Sequence, residues 1–205
     1  SPKAHGFALS DSELKDLIQK YVSDVGDSLW SQVASNQTVV VSGATNVELP
    51  GVTLPNVPDS ISMRELSGIY LNELLKAGVK IVGGSADLGG STNVKVAAAR
   101  EISSNDFSGN YINYGVREHA MGAIMNGLTL AGLRVCGSTF LVFADYMRPS
   151  IRIAAMSGLP VVYVFSHDSV AVGEDGPTHQ PVEQLASLRL IPNLNVLRPA
   201  NKTEV

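Results

Sequence analysis

The sequence predicts an α/β fold: a mostly parallel sheet with helices on both faces, preceded by an N-terminal helical arm. Three observations carry this. From Ser60 onward, short β-branched runs alternate with segments of helical period. The runs are almost continuously apolar, as strands covered on both faces must be. Capping boxes and glycines then punctuate the helices where such units begin and end.

Residues 1–58 read as arm and linker. Ser10-Asp11-Ser12-Glu13 is a capping box, and Leu14, Leu17, Ile18, Tyr21, Val22 and Val25 follow at helical spacing. After Asn36, a stretch with Pro50, Pro55 and Pro58 reads as a crossing segment rather than a core element. Residues 59–205 form the α/β domain. Ser62-Met63-Arg64-Glu65 opens a helix through Leu66, Ile69, Tyr70, Leu74 and Leu75, with Gly78 as its C-terminal glycine. Strands are predicted at 79–82, 111–114, 133–138, 160–165 and 194–197. Helices are predicted at 116–130, 143–156 and 182–190. Pro199 to Glu204 looks like the start of another capped helix, which suggests a domain cut short at its C-terminal end.

Composition excludes several functions. With 44% hydrophobic and 17% charged residues, the chain is an ordinary globular α/β sequence. A net charge of −4 without basic clusters argues against a nucleic-acid surface. No apolar run approaches the ~20 residues that span a bilayer. One cysteine, Cys136, cannot form an internal disulfide, so a reducing, cytoplasmic setting is expected. Its apolar surroundings read as a buried thiol.

Four clusters could carry chemistry. Gly83 to Ser91 (GGSADLGGS) follows a predicted strand and offers backbone N–H groups and hydroxyls to an anion. It is neither a dinucleotide fingerprint nor a P-loop, and such a turn is more often just a turn. Gly115 to Met121 (GVREHAM) puts Glu118 in a first helical turn, where the helix dipole alone favours a carboxylate. Phe140, Phe143 and Tyr146 fall at spacings of three, either as core packing or as a slot for a planar heterocycle. His167 to Pro181 (HDSVAVGEDGPTHQP) leaves a buried strand carrying His167, Glu174, Asp175 and His179. Open α/β sheets bind ligands at the ends of such strands.

In this order, GGSADLGGSTN, GNYINYGVREHAMGA, STFLVFADYMRPSIRIAA and HDSVAVGEDGPTHQPVEQLASLR resemble the pyrimidine-binding (middle) domain of the transketolases. The resemblance covers Ser60 to Val205. It implies the thiamine diphosphate-binding fold. It also implies transfer of a two-carbon ketol unit from a ketose phosphate to an aldose phosphate through thiamine diphosphate. By resemblance, Glu118 hydrogen-bonds N1′ of the aminopyrimidine. Phe143 stacks on that ring, Phe140 and Tyr146 complete the pocket, and Asp87 faces the thiazolium side. His167 and His179 hold substrate oxygens and serve catalysis with Glu118. Asp175 reads the donor's hydroxyl configuration, and Arg64 and Ser91 grip the sugar phosphate. Burial of Glu118 between phenyl rings would favour sharing a proton with a ring nitrogen.

The resemblance extends to what this chain lacks. The family's diphosphate-binding domain, which carries the Mg or Ca site, has no counterpart here, and no metal ligands are assigned to this chain. In the family that domain comes from a partner subunit of a homodimer, so the chain is expected to be inactive alone. The helix from Gly115 to Met125 and the turn from Ser138 to Tyr146 are expected to expose apolar surface and drive self-association. A non-catalytic module of the same fold, or the middle domain of dihydroxyacetone synthase, are the alternatives.

Overall fold

The joints from helix to strand set the architecture. In a computed structural model describing residues 37–42 and 55–205, three helices end alike: α1 (Met63–Lys76), α2 (Glu118–Leu130) and α3 (Ala144–Met156). Each is followed by a left-handed glycine, Gly78, Gly132 or Gly158. The next residue's N–H then reaches back into the last turn, Val79 to Leu74, Leu133 to Leu128 and Leu159 to Ala154, each at 3.0 Å. This is the Schellman closure, which only a residue free to adopt positive φ enters without cost. The buried Val79 and Leu159 anchor two of these closures. The chain is thereby reversed into β2 (Val82–Ser85), β4 (Val135–Phe140) and β5 (Val161–Ser166).

At its other end α1 begins as predicted. Ser62 Oγ accepts from the Glu65 N–H, and the Glu65 carboxylate accepts from the Ser62 N–H. The remaining elements are β1 (Gln37–Ser42), β3 (Tyr111–Asn113), a short α4 (Gln184–Arg189) and β6 (Leu194–Leu197). They complete a six-stranded sheet in the order β3-β2-β4-β5-β1-β6. β3, β2, β4 and β5 run parallel. β1 is antiparallel to both β5 and β6.

Two sequence expectations need correcting. The segment after Asn36 is not only a crossing linker, because Gln37–Ser42 occupies an interior place in the sheet. Its run Thr38-Val39-Val40-Val41 is a strand former masked by the prolines downstream. The predicted strand at 79–82 lies about three residues later, so Gly83, Gly84 and Ser85 are strand residues rather than a turn. The Ser10 capping box and its helix lie outside the described residues.

Alternation along β4 and β5 feeds a core on each face. On one face Val161, Tyr163 and Phe165 meet Met121 and Met125 of α2 and Met147 and Ile151 of α3. On the other, Cys136 and Val164 pack with Val94 and Tyr111, bordered by Leu71 of α1. Glycine decides how near the layers come. A Cβ on Gly137 would stand 2.3 Å from Met125 Sδ, and one on Gly122 would stand 2.7 Å from Ser150 Cβ. Burial raises the Cys136 thiol to about 12, which keeps it protonated, as a packing residue should be.

Gly84 and Gly127 should respond oppositely to alanine. A Cβ at Gly84 would lie 2.3 Å from the Tyr114 ring and 2.6 Å from the Ile112 carbonyl oxygen, so Gly84→Ala should destabilise by roughly 2–3 kcal/mol. Gly127 sits inside α2 with open space around it, so Gly127→Ala should stabilise by roughly 0.5–1 kcal/mol. Equilibrium urea unfolding measures both.

Candidate functional site

Four parallel strands release their C-terminal ends along one rim, and the candidate residues lie there. β2 ends at Ala86-Asp87, with Asp87 exposed and at φ 64°. β3 leads through Gly115 (φ 67°) into α2, whose first residue is Glu118. β4 ends on Phe140 and runs into a 3-10 turn, Leu141–Phe143. β5 ends at Ser166, and His167 follows at φ 53°. A non-glycine residue held in this region costs of order 1 kcal/mol and persists only where its surroundings enforce it.

Phe140 is the hub. It stacks on Phe143 with centroids 5.9 Å apart and rings 11° from parallel. The His167 ring covers it at 3.7 Å. His179 meets Phe140 at 6.0 Å and Phe143 at 5.2 Å, edge-on to both. Tyr146 lies 6.2 Å from Phe143 and is largely exposed. The aromatic turn and the histidine loop, read separately in the sequence, are thus one structure.

Both histidines are oriented in the same way. Ser166 Oγ and His167 Nδ1 share a hydrogen bond at 2.9 Å, and so do Thr178 Oγ1 and His179 Nδ1. Each histidine therefore uses Nδ1 on the hydroxyl residue before it. Among the described residues neither Nε2 has a partner, so these nitrogens remain available to a ligand. The hydroxyl–His dipeptides were legible in the sequence but were not read as a device.

Arg64, Asp168 and Asp175 act on the His167 imidazole. Burial chiefly, then the Arg64 guanidinium and His179, push His167 below the ordinary imidazole range, while Asp175 and Asp168 oppose them. Arg64, in the first turn of α1, donates from Nη1 to the Ser91 carbonyl at 2.9 Å. Its buried Nε has no acceptor among the described residues. Glu118 is 9% exposed, and its carboxylate too lacks a hydrogen-bond partner among them. Its neighbour His119 is tied to α3 instead, with Nδ1 2.9 Å from Ser150 Oγ.

Within the glycine-rich segment the Ser85 hydroxyl is committed to the fold. Ser85 Oγ donates to the Ser138 carbonyl and accepts from the Leu88 N–H. The Ser91 side chain is exposed. Two clamps between distant segments carry no local sequence signal. Gln184 donates from Nε2 to Asp145 at 2.7 Å and accepts from the Val182 N–H at 2.9 Å, which ties the histidine loop to the aromatic turn. Arg198, just beyond β6, pairs with the buried Asp168 at 2.8 Å. Among the described residues no cluster of three His, Cys, Asp or Glu could hold a metal ion.

Comparison with known proteins bears on the family and the fold. Residues 59–205 match the family described as "Transketolase, pyrimidine binding domain". The chain is 58% identical over 182 residues to a transketolase of Bacillus subtilis (strain 168), covering 86% of this chain and 27% of that one. It is 54% identical over 153 residues to a transketolase of Physarum polycephalum, covering 74% and 23%. Among solved structures, transketolase from Leishmania mexicana superposes with a TM-score of 0.67 at 39% identity, over 89% of this chain and 27% of that one. Transketolase of Pichia stipitis in complex with sedoheptulose 7-phosphate gives 0.64 at 35% identity, over the same shares. The chain spans about a quarter of the length of these relatives.

His167 supplies a pH test. Its folded-state value lies below the unperturbed 6.5, so the unfolded chain binds the extra proton. Stability from this group should be complete above about pH 6.5 and should fall as the pH drops through the folded value. The His167 ring signal in NMR should titrate below 6.5, and His167→Gln should flatten the acid side of the stability profile.

Proposed function

This chain belongs to the transketolase family through its pyrimidine-binding domain, and we propose that it works as the middle portion of an enzyme moving a two-carbon ketol unit from a ketose phosphate to an aldose phosphate. The observation that carries the proposal is one cluster: stacked Phe140 and Phe143, two histidines each held through Nδ1 by a neighbouring hydroxyl, and Arg64 close by. A flat apolar face beside polar groups suits a planar heterocycle joined to a hydroxyl-rich substrate.

The residues present fit thiamine diphosphate. Phe143 offers a ring face to the aminopyrimidine, with Phe140 behind it and Tyr146 at the edge. Glu118, buried and without a hydrogen-bond partner among the described residues, would hold a proton at N1′. Asp87 would face the thiazolium side. When bound, the cofactor supplies the carbanion equivalent that carries the two-carbon unit. His167 and His179 would bind substrate oxygens through Nε2 and move protons there, work that typically contributes about 10²–10⁴-fold. Asp175 would read the donor's hydroxyl configuration. Arg64 would grip the phosphate with Ser91, and its Nε, without an acceptor among the described residues, is a donor suited to that anion.

The diphosphate and its Mg or Ca ion would be held by a diphosphate-binding domain of a partner subunit. A homodimer is supported by exposed apolar side chains, Ile124 and Leu130 on α2 and Tyr146, Ile153 and Met156 on α3. These side chains reach farther along both helices than the Gly115–Met125 and Ser138–Tyr146 segments named from the sequence. A cytoplasmic setting accords with Cys136 as a free, buried thiol.

Two measurements test the proposal. In the complete enzyme, Glu118→Gln should lower ketol transfer by about 10²–10⁴-fold in a coupled assay while circular dichroism and thermal unfolding stay near wild type. Unchanged activity would overturn the role of Glu118. The purified 205-residue chain alone should show no turnover with a ketose and an aldose phosphate, and turnover there would overturn the half-site reading.

A further inference from the structure

We propose that Arg198 is a positioning residue for His167, gripping the backbone and side chain of Asp168 so that the histidine is held in its left-handed conformation over Phe140. The proposal rests on the ketol-transfer reading for its kinetic consequence, but its structural content stands on the geometry alone.

Three observations carry it. The first is the conformation: His167 sits at φ 53° immediately after β5, where the chain turns away from the sheet. Such a residue returns to an ordinary conformation unless both its neighbours are fixed. Ser166 is fixed on one side by the sheet and by its own bond to His167 Nδ1.

The second is the grip on the other side. Arg198 Nε donates to Asp168 Oδ2 at 2.8 Å, and its Nη2 lies 3.4 Å from the Asp168 carbonyl oxygen. The guanidinium therefore holds the side chain and the backbone of one residue together, which a point charge cannot do. The Asp168 side chain is fully buried and that of Arg198 is 29% exposed, so water competes little for the carboxylate.

The third is the place of the clamp in the fold. Arg198 follows β6, and β6 is separated from β5 by β1. The ion pair thus ties the end of one strand to the corner after another across an intervening strand. On the far side of that corner, His167 stacks on Phe140 at 3.7 Å. Asp175, His179 and Arg64 act on the same imidazole from other elements, but none of them holds its backbone.

The test uses the complete enzyme in two variants. Arg198→Lys keeps the charge and loses the two-pronged grip. The double variant Asp168→Leu with Arg198→Met removes the pair without leaving a buried charge unpaired. Three readouts are needed: kcat and KM for the ketose donor and the aldose acceptor, the pH profile of kcat/KM, and the ring signal of ¹³C-labelled His167. The proposal expects both variants to fold and to bind thiamine diphosphate as the wild type does. Donor kcat/KM should fall at least tenfold with acceptor KM unchanged. In Arg198→Lys, which leaves the Asp168 carboxylate in place, the acid limb of the profile and the His167 titration should both move up toward 6.5. An unmoved His167 signal with unchanged donor kinetics, whatever the loss in Tm, would overturn it, and so would failure of both variants to fold. If the wild type itself transferred no ketol unit, the functional reading would fall while the His167 signal still decided the clamp.

Discussion

Parallel pairing of four strands is the constraint from which the rest follows. Strands that run the same way must all be re-entered from the same rim, and for β2, β4 and β5 the re-entry is made by a helix that stops on a left-handed glycine. The opposite rim is then left for whatever the strands deliver. Asp87, Glu118, Phe140 and His167 come from four different strand ends, far apart in sequence, and share one edge only because the hydrogen-bond direction of the sheet brings them there.

On that edge, packing and electrostatics are hard to separate. The His167 ring is a stacking partner of Phe140 and is also the group whose protonation is opposed by burial and by Arg64. Covering Phe140 with an imidazole removes water from one face of the ring pair and makes the imidazole less willing to carry charge. A neutral histidine can both accept and donate through its two nitrogens, and the Ser166 hydroxyl commits one of them. The site is thus largely arranged before any ligand arrives, and the entropy of arranging it is met during folding.

Much of this was legible in the sequence because its signals are local. Capping boxes, apolar runs and glycine stops depend on neighbours within four residues, and Ser62, Gly78 and the run Leu194–Leu197 appear as read. The aromatic spacing and the histidine loop were also visible, and the resemblance to a known family joined them before the geometry did. What escaped depends on contacts between distant segments. Gly83 and Gly84 look like a turn in one dimension. In three dimensions they are strand residues paired with β3 and β4, and Tyr114 and Ile112 leave no room for a Cβ at Gly84. The place of Gln37–Ser42 in the sheet is fixed by β5 and β6, which lie over a hundred residues away. The recurring pattern Ala-Gly-Val, Ala-Gly-Leu, Ser-Gly-Leu before β2, β4 and β5 was present in the letters. It becomes meaningful once the three closures are seen to be the same.

The buried sulfur on β4 gives the chain an internal reporter. Cys136 lies between β2 and β5 in the ladder, with its thiol protonated and packed beneath Val164 and Tyr111. An electrophile added to the solution can reach that sulfur only when the central ladder has come apart. The rate at which the protein is alkylated therefore clocks rare openings of the sheet, one molecule at a time, with no dye or label introduced.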